Sequence, residues 1–376
     1  GVILLCGIVK ASQTPTISAV TGVVINVNTG QILFDKNMHI KRAPASTTKI
    51  LTTIIALEET SLDEIVTVSR KAAYQEGSSI YLKIGEKVTV EELLYGIMLA
   101  SGNDAAVAIA EHISGSVEEF SELMNKKAKS IGAKNSNFLN PNGLPQSGHV
   151  STAYDLALIM RYALQNETFA KINATRYINN NKWERAFRNH NKLLWSYERA
   201  TGGKTGYTRA AGRCLVSSAA DEIKGNRRRV VAVVLNSPND WIDSTSLLDY
   251  GLDKYNLKTV VEKGDKIYTL QWEKSMEKYL DIIADESIKV LVPENGKVTI
   301  NKKIIIKPDL RLPIQKGYEL GKIRIYNKNQ LIGSSLLIAS NDLNFNSIFL
   351  RFWYNLTTFF KSFFSEKDLA FVSRII

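Results

Sequence analysis

The apolar positions near the start of this chain predict a β-hairpin. Apolar residues, most of them β-branched, occupy positions 23–25, 27 and 32–34, and Asn28-Thr29-Gly30 lies between the two runs. Asn and Gly readily adopt the backbone conformations that a tight reversal requires. We therefore expect two antiparallel strands over residues 22–33.

A second pair of strand-like runs lies in the middle of the chain, at residues 214–219 and 230–235. The second run is rich in β-branched residues, which favours a strand. The polar stretch 225–229, with arginine at its last three positions, separates the runs. We interpret this stretch as a solvated turn, and the alternative is a binding patch.

Residues 47–170 follow a mostly helical pattern, with short strand-like stretches at 65–68 and 79–90. The first helix of this region has an apolar stripe at helical spacing, made of Ile50, Leu51, Ile54, Ile55 and Leu57. Strands thus lie at both ends of the region and helices between them. We predict an α+β sandwich whose sheet is assembled from distant segments, and not a doubly wound fold.

The pattern changes after about residue 261. Short β-rich runs follow closely at 288–292, 298–306, 321–326 and 330–338, with clear turn signals such as Pro293-Glu294-Asn295-Gly296. This pattern predicts a small all-β domain over residues 261–342. It contains no catalytic constellation, so we interpret it as a spacer or a platform for a partner.

Residues 343–376 are rich in phenylalanine. The apolar positions have helical spacing: Phe345, Phe349, Phe352, Leu356, Phe359, Phe360 and Phe363. Arg351 and Lys361 lie on another face, and several polar residues interrupt the run. A helix lying in a membrane interface fits this pattern better than a spanning helix. The alternative is a helix that packs on the protein's own core.

The two cysteines, Cys6 and Cys214, lie in segments of different kinds. Cys6 lies in the apolar run 2–9, which is typical of the end of a secretory signal peptide with cleavage near Ser12. A buried N-terminal strand is the alternative. If cleavage occurs, Cys214 is left alone, and its strand pattern favours a small core residue.

Composition excludes some functions. The chain has 376 residues, 44% of them hydrophobic and 23% charged, as expected for a globular protein with a substantial core. The formal net charge of +11 favours anionic partners such as a bacterial envelope, and a solvated lysine-rich surface is the alternative. Neither zinc-finger spacing nor an RNA-recognition motif accompanies the lysines, so nucleic acid is not expected. The four histidines lack ligand spacing and no phosphate-binding loop occurs, so we expect no metal and no cofactor.

Three short motifs carry the candidate chemistry. Ser46 and Lys49 lie three residues apart, which places a hydroxyl beside an amine on one helix face. Ser101-Gly102-Asn103 follows an apolar run, and Lys204-Thr205-Gly206 opens towards the strand at 214–219. Each motif alone is weak. Together and in this order they match the set of penicillin-binding proteins and class A β-lactamases.

With these motifs the chain resembles the D-alanyl-D-alanine carboxypeptidases, the low-molecular-weight penicillin-binding proteins of serine peptidase family S11. The resemblance runs from about Ser18 to about Tyr255 and includes the stretches 140–144 and 189–194. It implies a transpeptidase-like α+β domain, with helices packed on an antiparallel sheet, followed by a small all-β domain. It also implies release of the terminal D-alanine from peptidoglycan pentapeptides without a cofactor.

The resemblance assigns a role to each motif residue. Ser46 is the expected nucleophile, Lys49 its base and Ser101 a proton relay to the leaving amine. Asn103 would bind the substrate backbone or hold Lys49, and Lys204 and Thr205 would meet the terminal carboxylate. Gly206 would let an extended peptide approach. The backbone N–H groups of Ser46 and Tyr207 would form the oxyanion hole.

Lys49 can act as a base only if its amine is neutral at working pH. Free lysine titrates near 10.4, so burial and a nearby second cation must lower its pKa. Lys204 is the expected second cation. The two lysines should therefore lie close together in the fold.

Three other functions compete with this interpretation. A class A β-lactamase needs a glutamate to activate water after the second motif, and the nearest here are Glu122 and Glu167, which flank the Asn-rich stretch 137–144. β-Lactams should therefore inhibit this protein covalently. A penicillin sensor is disfavoured by the intact motif set. An endopeptidase acting on cross-links stays open.

We predict a secreted enzyme at the outer face of the cytoplasmic membrane. The expected segments are a residual signal peptide at 1–11, a catalytic domain at 12–260, the β domain at 261–342 and an amphipathic anchor at 343–376. The anchor would bind an anionic membrane surface. The stretch 183–190 resembles sporulation-type members of the family, which adds a role in the spore cortex as a hypothesis.

Overall fold

The computed structural model of the protein describes residues 14–223, 226–272, 275, 277–294, 299–327 and 329–344. The segments 1–11 and 345–376, which carry the predicted signal peptide and nearly all of the predicted anchor, lie outside the described residues. The described chain divides into two compact units. The first extends to Asn256 and includes Pro293 and Glu294, and the second begins at Leu257.

The first unit contains helices and strands in alternation. Its helices are α1 Lys49–Glu59, α2 Arg70–Ala73, α3 Val90–Leu99, α4 Asn103–Ser114, α5 Val117–Ile131, α6 Ala153–Ala163, α7 Glu167–Ala174, α8 Leu193–Ser196 and α9 Asp240–Asp253. Its strands are β1 Thr21–Asn26, β2 Ile32–Lys36, β3 Ile65–Thr67, β4 Lys87–Thr89, β5 Tyr177–Asn179, β6 Ala186–Arg188, β7 Ala200–Thr208, β8 Gly212–Ile223 and β9 Asn226–Leu235.

Five of these strands form one antiparallel sheet in the order β2-β1-β9-β8-β7. The sheet thus joins the two ends of the unit, as predicted. Helices cover both faces: α9 packs over Val24 and Val230, while Val23 and Val231, which point the other way, join the core under the remaining helices. Burial on both faces explains why residues 230–235 form an unbroken apolar run.

Several helices begin at a residue whose side chain accepts a hydrogen bond from a backbone N–H group of the first turn. Thr89 accepts from Glu92 at the start of α3, Ser116 from Glu119 at α5, and Thr152 from Asp155 at α6. These bonds satisfy N–H groups that have no partner within a helix. The positions of the central helices are therefore encoded locally.

Two expectations about this unit are wrong in detail. Of the stretch 79–90, only Lys87–Thr89 forms a strand, because the buried Asp104 carboxylate accepts the N–H groups of Ile80 and Leu82 and leaves them unavailable to a sheet. The arginines at 227–229 lie within β9 and not in a turn. Arg228 donates to the Tyr255 carbonyl at 2.8 Å and lies 3.7 Å from Asp221.

The second unit is all β in its described part. Its strands are β10 Tyr255–Val261, which begins in the first unit, and β11 Lys266–Gln271, β12 Tyr279–Ala284, β13 Ile288–Pro293, β14 Ile300–Ile306, β15 Glu319–Asn327 and β16 Gln330–Ala339. Five form a sheet in the order β11-β12-β16-β15-β14, and β10 pairs with β13. A separate apolar core with Leu280, Ile323 and Leu337 stabilises it. The predicted α+β domain followed by a small all-β domain is confirmed.

Candidate active site

Ser46 lies in a tight turn that leads into α1. Residues Ala45–Thr48 form a 3₁₀ helix, and α1 begins at Lys49. In a 3₁₀ helix the side chains of residues three apart eclipse each other. Lys49 Nζ therefore lies 2.9 Å from Ser46 Oγ. Ala45, directly before the serine, has φ 48, a left-handed conformation that is costly for a non-glycine residue and that clusters at functional sites.

Lys49 is fully buried and has three oxygen partners. Besides Ser46 Oγ, its Nζ lies 2.7 Å from Asn103 Oδ1 and 2.6 Å from the Asn142 carbonyl oxygen. The two latter oxygens can only accept hydrogen bonds, whereas a hydroxyl can also donate. A neutral amine has two N–H donors and one lone pair, so it can donate to Asn103 and Asn142 and accept from Ser46.

The electrostatics of the site favour this neutral amine. Burial lowers the pKa of Lys49 well below its ordinary value, and the charge of Lys204 lowers it further, while Asp104 opposes the shift. Lys204 lies in β7, is buried, and donates to the Thr205 carbonyl at 3.0 Å. Burial lowers the pKa of Lys204 to about 7. The structure thus brings the two lysines close together in a desolvated environment.

The second motif connects α3 to α4 beside these lysines. Ser101 is buried in a left-handed conformation with φ 65, and its side chain lines the cleft at Ser46. Asn103 begins α4, where its amide links Lys49 to the Glu76 carbonyl, the latter at 2.5 Å. Asn103 therefore holds the Lys49 amine in place.

Two glycines allow the backbone to approach the nucleophile closely. A Cβ atom on Gly206 would lie 3.0 Å from the Ser46 nitrogen, so β7 runs directly past the nucleophilic turn. A Cβ atom on Gly143 would lie 1.9 Å from the Ala45 carbonyl oxygen, and Gly143 has φ 83. Only glycine fits at position 143 without displacing either chain.

An open cleft of about 480 Å³ gives access to Ser46. Its lining residues are Ser46, Ser78, Ser101, His190, Lys192, Thr205, Gly206, Tyr207, Arg213, Asp240 and Trp241. Of the predicted site residues, Lys49, Asn103 and Lys204 lie behind this surface. None of the described residues that line it is a glutamate. Desolvation and the charge of Lys204 lower the pKa of His190.

Sequence reasoning did not identify several residues of this site. Arg213 lies in β8 opposite Tyr207, and its guanidinium is 3.7 Å from the buried Asp240 carboxylate of α9. The stretches 140–144 and 189–194 contributed to the family resemblance, but the contact of Asn142 with Lys49 was not predicted. Isolated polar residues such as Arg213 and Asp240 carry no motif that could single them out.

The described residues form neither a metal site nor a membrane-spanning helix. They contain no cluster of three or more histidine, cysteine, aspartate or glutamate side chains arranged to hold a metal ion. No helix among them is long and apolar enough to cross a membrane.

Protein-family models and curated proteins match most of the length of this chain. Residues 8–239 match the family model described as D-alanyl-D-alanine carboxypeptidase, and residues 255–344 match penicillin-binding protein 5, C-terminal domain. The chain is 36% identical over 336 residues to D-alanyl-D-alanine carboxypeptidase DacF of Bacillus subtilis (strain 168), covering 86% of each chain. It is 30% identical over 356 residues to DacD of Escherichia coli (strain K12), covering 90% of each.

Solved structures show the same likeness. Penicillin binding protein 5 from Haemophilus influenzae matches with a TM-score of 0.74 and 30% identity, over 89% of this chain and 100% of that one. D-alanyl-D-alanine carboxypeptidase DacD from Francisella tularensis matches with a TM-score of 0.66 and 29% identity, over 89% and 96% of the two chains.

Proposed function

This chain belongs to the D-alanyl-D-alanine carboxypeptidase family S11, and from that premise we propose that Ser46 and Lys49 carry out its reaction through an acyl-enzyme. The protein is a serine-type D-Ala-D-Ala carboxypeptidase of the penicillin-binding protein class and processes cell-wall peptidoglycan. The observation that carries the proposal is the 2.9 Å separation of Lys49 Nζ from Ser46 Oγ in a buried site that lowers the pKa of the lysine.

Acylation begins when the neutral Lys49 amine accepts the Ser46 hydroxyl proton. The serine oxygen then attacks the carbonyl carbon of the penultimate D-alanine, and the backbone N–H groups of Ser46 and Tyr207 stabilise the oxyanion. When the tetrahedral intermediate collapses, its C–N bond breaks. The leaving D-alanine amine takes the proton from Lys49 through Ser101.

Deacylation repeats these steps with water as the nucleophile. Lys49 accepts a proton from water as its oxygen attacks the ester carbonyl carbon. Collapse breaks the ester bond, and the proton returns from Lys49 to the Ser46 oxygen. The net change is hydrolysis of one peptide bond.

The terminal carboxylate of the substrate requires a cation in the open cleft. Lys204 is buried, and its amine donates to the Thr205 carbonyl, so its charge acts mainly on Lys49. Arg213 lines the cleft with a side chain that is 58% exposed. We assign the carboxylate to Arg213 together with the Thr205 hydroxyl, because a guanidinium can bind a carboxylate through two hydrogen bonds.

β-Lactams acylate Ser46 and leave slowly in this proposal. Peptidoglycan stem peptides and β-lactams are the ligands of the penicillin-binding proteins. Within the part of the chain that the structure describes, no glutamate lines the cleft, which supports slow hydrolysis of the β-lactam ester.

The cellular setting is a further part of the proposal. Secretion to the outer face of the membrane rests on the apolar run 2–9. Attachment to an anionic membrane rests on the helical spacing of apolar residues in 343–376 and on the net charge of +11. A sporulation role rests on the stretch 183–190, and expression confined to vegetative growth would rule it out.

Release of D-alanine from a pentapeptide ending in D-Ala-D-Ala tests this function. The wild type should release D-alanine and bind fluorescent penicillin covalently, and Ser46→Ala should do neither. Ser130→Ala, a change at an exposed serine of α5, serves as the control. Labelling without release would identify a penicillin sensor or a different peptide substrate.

A further inference from the structure

A histidine outside the catalytic cleft connects a long loop to the turn that carries Ser46. His149 is 3% exposed, and its Nε2 atom lies 3.1 Å from the hydroxyl oxygen of Thr48, 101 residues earlier in the chain. Thr48 is fully buried and lies between Ser46 and Lys49, in the 3₁₀ turn that leads into α1. The contact therefore acts on the short segment that joins the nucleophile to its base.

The surroundings of the His149 ring determine which of its nitrogens carries the proton. The Leu139 N–H group donates to His149 Nδ1 at 3.0 Å, and a backbone N–H group can only donate. Nδ1 is therefore the acceptor of a neutral ring, and the proton lies on Nε2. Burial lowers the pKa of His149 to about 4, which keeps the ring neutral near pH 7. The Nε2–H group thus donates to the Thr48 hydroxyl oxygen.

The loop 137–150, which carries His149, has supports of its own. Its two ends exchange backbone hydrogen bonds of 2.8 and 3.0 Å. The side chain of Asn125 in α5 accepts the Phe138 N–H at 2.8 Å and donates to the Phe138 carbonyl at 2.8 Å, which holds the start of the loop on that helix. The donor that His149 offers to the turn therefore has a fixed position.

We propose that His149 is a positioning residue of the reaction, which holds the turn through Thr48 so that Ser46 Oγ stays within reach of the Lys49 amine. The inference rests on the proposed function, because that function makes Ser46 the nucleophile and Lys49 the base. His149 does not line the cleft at Ser46, so it acts through Thr48 and not on the substrate. The geometry of the reacting pair is sensitive to such support, since a displacement of about 1 Å can cost on the order of 100-fold in rate.

The test measures two rates on the full chain, acylation by fluorescent penicillin and kcat/KM for a pentapeptide ending in D-Ala-D-Ala. Complete labelling counts the active sites, so each rate is expressed per site. Thr48→Val and His149→Asn should each lower both rates about tenfold, because each removes one partner of the same hydrogen bond. The asparagine can still accept the Leu139 N–H, but its side chain is too short to reach Thr48.

Two further sets of variants separate positioning from a general effect on the fold. The double variant of Thr48→Val and His149→Asn should lose no more than either single variant, as expected for two residues that act through one contact. Thr48→Ser keeps the hydroxyl, and His149→Gln places an N–H donor near the position of Nε2. Both should retain most of the wild-type rate per site.

His39→Asn is the matched control, since His39 is exposed and its ring contacts Tyr154 and not the turn. It should keep the wild-type rate per site. A wild-type rate per site in Thr48→Val or in His149→Asn, or losses that multiply in the double variant, would overturn this inference alone. If His149→Asn yields no active sites, Thr48→Val measured against Thr48→Ser decides. Failure of the wild type to become acylated at Ser46 would overturn the proposed function and this inference with it.

Discussion

The Lys49 amine has suitable hydrogen-bond partners both when it is neutral and when it is protonated. As a neutral amine it can donate to Asn103 and the Asn142 carbonyl and accept from Ser46, and as an ammonium it can donate to all three. Proton transfer therefore requires no reorganisation of neighbouring groups. Such preorganisation in a dry site is a major source of catalytic power.

Lys204 sets the pH range in which this base works. Lys204→Met should raise the pKa of Lys49, because a charge that opposes its protonation is removed. The reaction needs neutral Lys49, so the acidic limb of kcat/KM against pH should move to higher pH. An unshifted acidic limb, measured by D-alanine release between pH 5 and 10, would contradict this coupling.

The same variant should change stability in a defined direction. The pKa of Lys204 is about 7 in the fold and near 10.5 when unperturbed, so between these values the unfolded chain binds the extra proton. Wild-type stability should therefore rise with pH through this window, and Lys204→Met should make the rise less steep. At pH 6 the variant should be more stable by a few kcal/mol, since it buries no charge. Urea unfolding at pH 6 and pH 9 measures both effects.

Arg213 should determine the preference for a free terminal carboxylate. Arg213→Gln should lower kcat/KM for a peptide ending in D-Ala-D-Ala by about tenfold, as expected for loss of one charged hydrogen-bonding group. It should leave the slow cleavage of the corresponding C-terminal amide unchanged. Arg209→Gln, a change at an exposed arginine that does not line the cleft, is the control. An equal loss on acid and amide would show that Arg213 acts only on the fold.

At the scale of single residues, the sequence predicted those catalytic residues whose side chains take part in the chemistry and belong to a motif. The motifs located Ser46 and Lys49, whose spacing places a hydroxyl beside an amine, and Lys204, which begins the Lys-Thr-Gly motif. They could not reveal Asn142, which contributes a backbone carbonyl that every residue carries. Arg213 also escaped prediction, since its position depends on the pairing of β8 with β7.

At the scale of structural elements, the loop at 140–144 holds in place the turn that carries Ser46. The Asn142 carbonyl binds Lys49, and Gly143 packs directly on the Ala45 carbonyl. The loop also closes on itself, since Asn140 Oδ1 accepts the Gly143 N–H at 2.8 Å. Its backbone is therefore part of the active site, although none of its side chains was predicted to be.

Gly143→Ala tests this dependence. The added methyl group would overlap the Ala45 carbonyl oxygen, so the loop and the turn must separate. A displacement of about 1 Å can cost on the order of 100-fold in rate, and we expect a loss of this size in kcat. Gly148→Ala is the control, because Gly148 also has positive φ but its Cβ would meet no atom closer than 3.7 Å. Equal kcat values for the two variants would contradict the dependence.

Element boundaries were less predictable than element types. The strand β9 includes the arginine-rich segment, and Arg228 has partners there, Asp221 and the Tyr255 carbonyl, that only the folded chain supplies. In the same way, the loop at 79–82 is held by Asp104, which lies far along the chain. Local pattern cannot anticipate a distant carboxylate.

At the scale of the whole molecule, the net charge of +11 and the segment 343–376 predict binding to anionic membranes. The full chain should cosediment with vesicles that contain phosphatidylglycerol, less so as salt increases, and only weakly with neutral vesicles. A chain ending at residue 342 should stay in the supernatant. Equal binding of the two chains to anionic vesicles would show that this segment is not the anchor.

The central claim is that the reaction passes through an ester on Ser46 formed with Lys49 as the base. Its most direct test is mass spectrometry of the protein quenched in acid during turnover of a D-Ala-D-Ala pentapeptide. We predict an adduct with the mass of the acyl group on the peptide that contains Ser46, and none in Ser46→Ala or in Lys49→Arg, whose guanidinium cannot become neutral. An adduct on another residue, or undiminished turnover in Ser46→Ala, would contradict the account.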